Sequence, residues 1–479
     1  MDELRFLSAE KALLFAPAGF GKTHFISNAV KQLNSKQLIL THTHAGVASI
    51  KQKLSSNGVA KELYQVETIS SFAQRFTLAY YVGDDLPEQQ AKGYFPFVIG
   101  KATELFDRAL VAKVITNTYT GLFVDEYQDC TKSQHSFVCK LSELLPTRLL
   151  GDYLQGIFDF NGESLVDLQC QDQMAGYIDT VEVLNETPWR WQNAGRNDLG
   201  EAIMTIRTKL EAREAIDLSS FPAIENVICD ESDLRDWQSL YGKKIKELSR
   251  ATNLLLIHPR SDSPNFRLTV TKAYLNAFYM LEAIDDSGFY TLARQLDTAT
   301  PGNYVDVVEQ VMRQVVNRSE LPNWISKGGL VKKKVEKLAP WQRERYENLL
   351  LASSEYVAKP SVESLRLFVF SVRRLPQIMC YRGEFYTSIL QAMSEAYHEG
   401  TTIEEAMIIN RNRIRRLGRR LVGRCIGTTL LTKGLEFDTV GILNAQTFTC
   451  PKHFYVAISR ASRRLVIFSN SRILNPYSD

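Results

Sequence analysis

One stretch near the start of the chain constrains its fold more than any other. A short apolar run, residues 12–16, leads into Ala16-Pro17-Ala18-Gly19-Phe20-Gly21-Lys22-Thr23, and a helical pattern follows from Thr23 to about Leu33. Glycines between a strand and a helix let backbone N–H groups fold inward around an anion, and the helix N-terminus adds a favourable dipole. The spacing is that of a phosphate-binding loop in the strand-to-helix context such a loop requires. Gly19 and Gly21 shape the cradle, Lys22 is placed to reach the β and γ phosphates of a nucleotide, and Thr23 is placed to hold Mg²⁺. Ala16 stands where the general pattern has glycine, a difference that a small residue absorbs.

Further β-branched or aliphatic runs at 37–40, 122–124, 148–150, 181–184, 253–257, 439–443 and 465–468 read as buried parallel strands. Helical patterns lie between them, so the chain reads as α/β with parallel sheets. Residues 261–417 show mostly helical periodicity, which predicts a helical insertion within the α/β scaffold. The run 121–124 ends in Asp125-Glu126-Tyr127-Gln128-Asp129. Cleaving a phosphoanhydride needs one carboxylate on the metal and another near the attacking water. Asp125 fits the first role and Glu126 the second.

Other segments follow in a fixed order. Leu40-Thr41-His42-Thr43-His44 and Thr68-Ile69-Ser70-Ser71-Phe72 come before the acidic pair. Gly151-Asp152-Tyr153-Leu154-Gln155-Gly156-Ile157-Phe158, Trp189-Arg190, Thr432-Lys433-Gly434-Leu435-Glu436-Phe437 and Tyr455-Val456-Ala457-Ile458-Ser459-Arg460-Ala461 come after it. With the phosphate loop and the acidic pair, this series resembles the UvrD/Rep/PcrA group of superfamily 1 DNA helicases. The resemblance implies two RecA-like parallel-sheet P-loop domains in one chain, with a mainly helical insertion in the second. It divides the chain into a first core at 1–185, with a vestigial insertion at about 78–118, a second core at 186–260 and 418–479, and an insertion at 261–417.

The same resemblance implies an ATP hydrolase using ATP and Mg²⁺, an ATP-dependent helicase or translocase moving 3′ to 5′ on single-stranded DNA or a tailed duplex. Lys22, Asp125, Glu126, Gln155, Arg190 and Arg460 carry catalysis, with Gln155 sensing the γ-phosphate and Arg460 acting as an arginine finger. Gly19, Gly21, Lys22, Thr23 and Glu436 hold the nucleotide, and Thr23 and Asp125 hold the metal. Thr41, His42, Ser70, Phe160 and Lys433 fall at DNA-contact positions. The compact form is also similar to the helicase component of Gabija-type anti-phage systems, which implies a service in DNA repair or anti-phage defence beside a partner nuclease. A second reading is a DNA-sensing ATPase subunit that licenses such a nuclease without processive unwinding. A third, an NTPase unrelated to nucleic acid, requires both the DNA-contact segments and an arginine cluster at 411–424 to be accidental.

Departures from the family pattern carry information. None of the fifteen residues before Ala16 is Gln, so the family's adenine-reading glutamine is not supplied there; His42 stands at a common aromatic position, Leu430 at a common His, and Asn161 at a common Arg. About 45 residues separate Thr77 from Leu122, where larger relatives insert a whole domain. That shortness predicts translocation with poor autonomous unwinding.

Net charge is only +3, too small to argue for nucleic acid from the total. Locally, Arg411, Arg413, Arg415, Arg416, Arg419, Arg420 and Arg424 fall within fourteen residues with no acidic residue between them. On a helix Arg411, Arg415 and Arg419 share one face with Arg416 and Arg420 beside them. The cluster is expected to meet nucleic-acid phosphates, through Arg416, Arg419 and Arg420, or a partner's acidic surface, because so dense a field of one sign is unfavourable without a counterion. A second, lysine-rich cluster spans 327–345. Seven scattered cysteines without a CxxC pair argue against a disulfide framework or a metal cluster. No apolar run approaches the roughly 20 residues that span a bilayer, and the start lacks a signal-peptide pattern. The expectation is a cytoplasmic protein with no membrane association.

Overall fold

The computed structural model describes residues 3–88, 91, 93–157, 163–177, 180–184, 187–236, 238–259, 264–274, 277–282, 287–326, 328–417 and 423–477. The fold class is the expected one: parallel, RecA-like sheets with extensive helical regions, consistent with tandem RecA-like domains and a helical insertion. The chain divides into two compact units, the first comprising 1–228, 416–420 and 432–479 and the second 229–415 and 421–431.

In the first unit, strands β1 (Lys11–Phe15), β2 (Gln37–Thr41), β3 (Tyr64–Thr68), β4 (Gly121–Val124), β5 (Thr147–Gly151) and β6 (Val181–Val183) form a parallel sheet in the order β3-β2-β4-β5-β1-β6. Successive side chains on a strand point to opposite faces, and the core follows that alternation. Leu13, Leu38, Leu40, Leu122, Val124 and Leu149 belong to one cluster. Ala12, Leu14, Ile39, Phe123 and Leu150 belong to another. A sheet buried on both faces needs continuous apolar strands rather than alternating ones, which is why these segments were legible as uninterrupted runs.

Helices Lys22–Leu33 and His44–Ser56 cover the second face through Phe25, Ile26, Val30, Ile50 and Leu54. Helices Ile69–Tyr80, Tyr94–Leu105, Ala109–Thr118 and Lys132–Leu141 cover the first through Phe72, Phe76, Ile99, Ile115, Phe137 and Leu141. Each fully buried Leu or Phe of this kind contributes about 1.5–3 kcal/mol. Three of these helices begin where a side chain caps free N–H groups: Thr43 accepts from Gly46, Thr68 from Ser71, and Thr131 forms a capping box with Gln134.

The remaining strands are β7 (Ile216–Asp217), β8 (Glu225–Ile228), β9 (Leu254–Ile257), β10 (Tyr279–Met280), β11 (Ile325–Ser326), β12 (Gly329–Leu330), β13 (Arg424–Gly427), β14 (Phe437–Ile442), β15 (Ala461–Ser469) and β16 (Ile473–Leu474). Within the first unit β15 pairs in parallel with β14 and with β8, and β16 pairs antiparallel with β7. Within the second unit β13 pairs in parallel with β9 and β10, and β11 and β12 form a small hairpin. The helices Gly288–Asp297, Tyr304–Met312, Pro340–Ala358, Val362–Arg374, Gly383–Glu399 and Ile403–Leu417 surround a large apolar core in that unit.

That unit also holds a buried stack of alternating chemistry. The Arg411 guanidinium lies 3.7 Å from the centroid of Phe289. Phe289 stacks on Phe385 at 3.8 Å, and Arg382 lies 3.6 Å over Phe385. Glu384 accepts from Arg411 at 3.2 Å, and Glu282 accepts from Arg382 through both oxygens at 2.7 and 3.0 Å. Arg411 is fully buried. The arginine cluster to which it belongs is expected to meet phosphate or a partner's acidic surface, whereas Arg411 is a core residue with its own carboxylate. Arg413 likewise bonds Glu395 at 2.6 Å. The counterions missing from the local sequence come from the preceding helix, a source that a linear scan of charge does not see.

Candidate nucleotide-binding site

All residues of the candidate ATPase site lie in the first unit. The loop after β1, Asp125 and Glu126 after β4 and Gln155 after β5 follow the C-terminal ends of strands, where open α/β sheets place ligands, whereas Glu436 and Arg460 immediately precede β14 and β15. β1 ends at Phe15, and the loop that follows takes a left-handed backbone at Gly19 (φ 81°) and Gly21 (φ 86°). These two glycines are also required by contact. A Cβ at Gly19 would sit 3.0 Å from both Arg190 and Trp191, and one at Gly21 would sit 3.1 Å from Trp189. The loop therefore lies directly against the Trp189-Arg190-Trp191 segment, and the Arg190 amide donates to the Gly19 carbonyl at 3.1 Å. Lys22 opens the helix Lys22–Leu33, is buried, and donates to the Ala16 carbonyl at 3.0 Å across its own loop.

Asp125 follows β4, and its amide donates to the Leu40 carbonyl at 2.8 Å. Its carboxylate accepts from the Glu126 amide at 2.9 Å. Glu126 adopts φ 55°, a left-handed conformation that non-glycine residues rarely take and that is concentrated at functional sites. The two carboxyls share one buried environment. Burial and the charge of Glu126 raise the Asp125 pKa, whereas Lys22, Lys433 and the Gln128 amide overcome the burial cost at Glu126 and lower its pKa. Gln128 ties this turn to the next strand: its amide group donates to Glu126, and its oxygen accepts from the Asp152 amide at 2.9 Å.

Gln155 donates to Asp152 at 2.9 Å and accepts from Arg460 at 3.2 Å. Arg460 is buried and also donates to the carbonyls of Val456 at 2.9 Å and Leu435 at 3.2 Å. Burial and the neighbouring Arg190 bring its pKa down to about 10, so it still carries its charge at neutral pH. Arg190 donates to Glu436 at 2.8 Å and to the Ser459 carbonyl. Lys22, Asp125, Glu126, Gln155, Arg190, Glu436 and Arg460 are thus brought together around one loop.

A cavity of about 80 Å³ is lined by Thr23, Thr41, His42, Asp125, Glu126, Asp129 and Lys433, among others. Mg²⁺ takes oxygen ligands, and in nucleotide sites it is held by one or two carboxylates together with the phosphates. Thr23 and Asp125 supply a hydroxyl and a carboxylate to the same cavity, so the residues fit that group. Among the described residues no cluster of three or more His, Cys, Asp or Glu side chains could hold a metal ion on its own.

The residues read as DNA contacts are placed differently from one another. Thr41 is buried at the end of β2, and Ser70 is half-buried in the first turn of the helix Ile69–Tyr80. Lys433 is buried, with its ammonium against the Asp129 carboxylate and the Gln155 carbonyl. Burial pushes the Asp129 carboxyl up to about 7, and Lys433 opposes that rise. His42 lies within 3.3 Å of the Cys130 sulfur. Phe160, Arg419 and Arg420 lie outside the described residues, as does the side chain of Arg416.

Sequence reasoning gave no role to Gln128, Asp129, Asp152, Arg207 or Tyr455. Gln128, Asp129, Asp152 and Tyr455 sit inside segments already singled out, as neighbours of the acidic pair, of Gln155 and of Arg460. Arg207, in the helix Asn197–Glu211, carries no local signal at all.

His42 supplies a pH prediction. Burial and Lys433 bring its pKa down to about 3 from the ordinary 6.5, so the folded chain holds it neutral while the unfolded chain protonates it below pH 6.5. Between those values the unfolded state binds more protons, and stability falls as pH falls. The slope is at most about 1.4 kcal/mol per pH unit for one proton. Urea unfolding at pH 7 and pH 5 should show a smaller loss in His42→Asn than in the wild type. Equal losses would remove His42 from the account.

Residues 95–172 match the family model for the UvrD/REP helicase N-terminal domain. The matched segment contains Asp125, Glu126 and Gln155. Among solved structures, the Pif1 helicase from Candida albicans aligns at 11% identity over 98% of this chain and 94% of that one, with a TM-score of 0.40. No curated protein matches. The fold is consistent with a superfamily 1 ATPase that acts on nucleic acid. No helix among the described residues is long and apolar enough to cross a membrane. These comparisons lend no support to the resemblance to anti-phage helicases.

Proposed function

We propose that this chain hydrolyses ATP with Mg²⁺ to translocate along single-stranded DNA in the 3′ to 5′ direction. The observation that carries the reading is the convergence on one phosphate loop of a lysine, an acidic pair, a glutamine and two arginines. Phosphoryl transfer spreads negative charge over the γ-phosphate oxygens, and catalysis consists mainly of positioning and electrostatic stabilisation. Lys22 and the loop amides would hold the phosphates, Thr23 and Asp125 the cation, and Glu126 the attacking water. Arg460 and Arg190 supply guanidinium groups next to Gln155 and the loop. Arg190 is joined to Glu436, a pairing that a nucleotide bound by Glu436 would have to loosen.

A second reading, a DNA-sensing ATPase that regulates a partner nuclease, is favoured by one observation. Between the helix Ile69–Tyr80 and β4, the described residues hold two helices, Tyr94–Leu105 and Ala109–Thr118, and no further domain. Steady-state hydrolysis with and without single-stranded DNA, beside strand displacement on a 3′-tailed duplex, separates the readings. Stimulation with displacement is expected from a motor, and stimulation without displacement from a sensor. Hydrolysis indifferent to any nucleic acid would sink both.

A further inference from the structure

We propose that Tyr455 and Arg207 are positioning residues that hold the phosphate loop in register with Gln155 and the Arg460 finger. The inference rests on the ATPase reading of this site and adds two residues to it. The Ala18 amide, in the middle of the phosphate loop, donates to the Tyr455 hydroxyl oxygen at 3.1 Å. Tyr455 is fully buried, and burial raises its pKa well above the ordinary value, so the hydroxyl stays protonated.

The Arg207 guanidinium lies 5.0 Å from the ring centroids of both Tyr455 and Tyr153. It donates to both oxygens of Asp152, at 2.7 and 2.9 Å, and lies 2.9 Å from Glu211. Asp152 in turn accepts from the Gln155 side chain at 2.9 Å, and Gln155 accepts from Arg460 at 3.2 Å. Ala18, Tyr455, Arg207, Asp152, Gln155 and Arg460 therefore form one unbroken series of contacts.

Every side chain in that series is buried, so water cannot substitute for a lost partner. Taking an Arg–Asp pair out of water is costly and is tolerated where further hydrogen bonds complete it. Here the pair is completed by Glu211 and the two aromatic rings. A cation held between two rings is attracted by both, and this fixes the Tyr455 ring and with it the hydroxyl that meets the loop. The geometry does not place Tyr455 or Arg207 at the nucleotide. Their effect is on alignment, which is worth most in the transition state.

Tyr455→Phe removes one oxygen and keeps the ring, and Arg207→Lys keeps the charge but loses the planar fork. Each should lower kcat for ATP at least tenfold, while affinity for a fluorescent methylanthraniloyl ATP stays within threefold of wild type. Because the two act in one series, the double variant should be no slower than the slower single variant. A purely structural role would lower binding and turnover together. Variants that keep kcat within twofold of wild type, or a double variant whose loss is the product of the two single losses, would overturn the proposal. Tyr455→Phe preserves the packing and keeps the experiment decisive if Arg207→Lys does not fold. A wild-type chain that hydrolyses no nucleotide would overturn the site reading and the device with it, whereas an active wild type with unaffected variants would overturn the device alone.

Discussion

Lys22→Ala should abolish nucleotide hydrolysis, lowering turnover by at least about a hundred- to a thousand-fold, the loss seen when one preorganised charge-stabilising donor is removed. The side chain is buried and bonded at 3.0 Å to a carbonyl of its own loop, so it waits beside the phosphate position instead of searching for it. On nucleotide arrival it exchanges a neutral acceptor for anionic oxygens, and hydrogen bonds to ionised acceptors are about twice as strong as neutral ones. Its loss also withdraws a cation from Asp125 and Glu126, both of which it biases toward ionisation. Affinity for single-stranded DNA, measured by fluorescence anisotropy, should stay within about twofold, because electrostatic binding to DNA follows phosphate contacts and this lysine is turned inward. Residual turnover near wild type would show that the loop has been misread.

Arg460→Ala should cost more still, about 10³–10⁵ in turnover, the range for an arginine finger. The guanidinium satisfies Gln155, Val456 and Leu435 at once, which a lysine cannot reproduce, so Arg460→Lys should recover little. Each acceptor left buried without a donor costs about 1–3 kcal/mol, and a lower unfolding temperature should accompany the kinetic loss. Single-turnover hydrolysis at saturating ATP, with nucleotide affinity measured in parallel, separates the two effects. A kcat within tenfold of wild type in a folded Arg460→Ala variant would dismiss the finger role.

The parts legible in sequence are those in which one local segment carries the whole signal. The loop from Ala16 to Thr23 and the run into Asp125-Glu126 are of this kind, because strand, turn and helix start are adjacent in the chain. The strands at 12–16, 122–124 and 148–150 are visible because a sheet buried on both sides favours apolar residues along each strand, with Arg148 a buried exception. β3 was not: Tyr64–Thr68 is half-buried, and its burial pattern breaks the apolar run. β10, with two residues, is too short to show any period.

The contacts of Arg207 and Tyr455 were invisible for a different reason. They join residues 248 positions apart, and although Tyr455 opens the segment that holds Arg460, nothing in that segment points to Arg207. Lys433 shows the same limit, since nothing near it in the chain announces the Asp129 carboxylate that holds it. Arg411 shows the converse, a residue whose local company suggested solvent and whose distant company is a phenylalanine and a glutamate.

The layered arrangement of Arg411, Phe289, Phe385 and Arg382 bears on how the chain can be dissected. Its four members come from points spread over residues 289–411 and hold one another only as a set. A shortened version of the second unit ending between 399 and 411 would keep the buried Glu384 and remove the Arg411 guanidinium that donates to it. The safe scissors therefore fall beyond Leu417, the end of the helix that carries Arg411 and also places Ile403, Ala406 and Met407 in the same core.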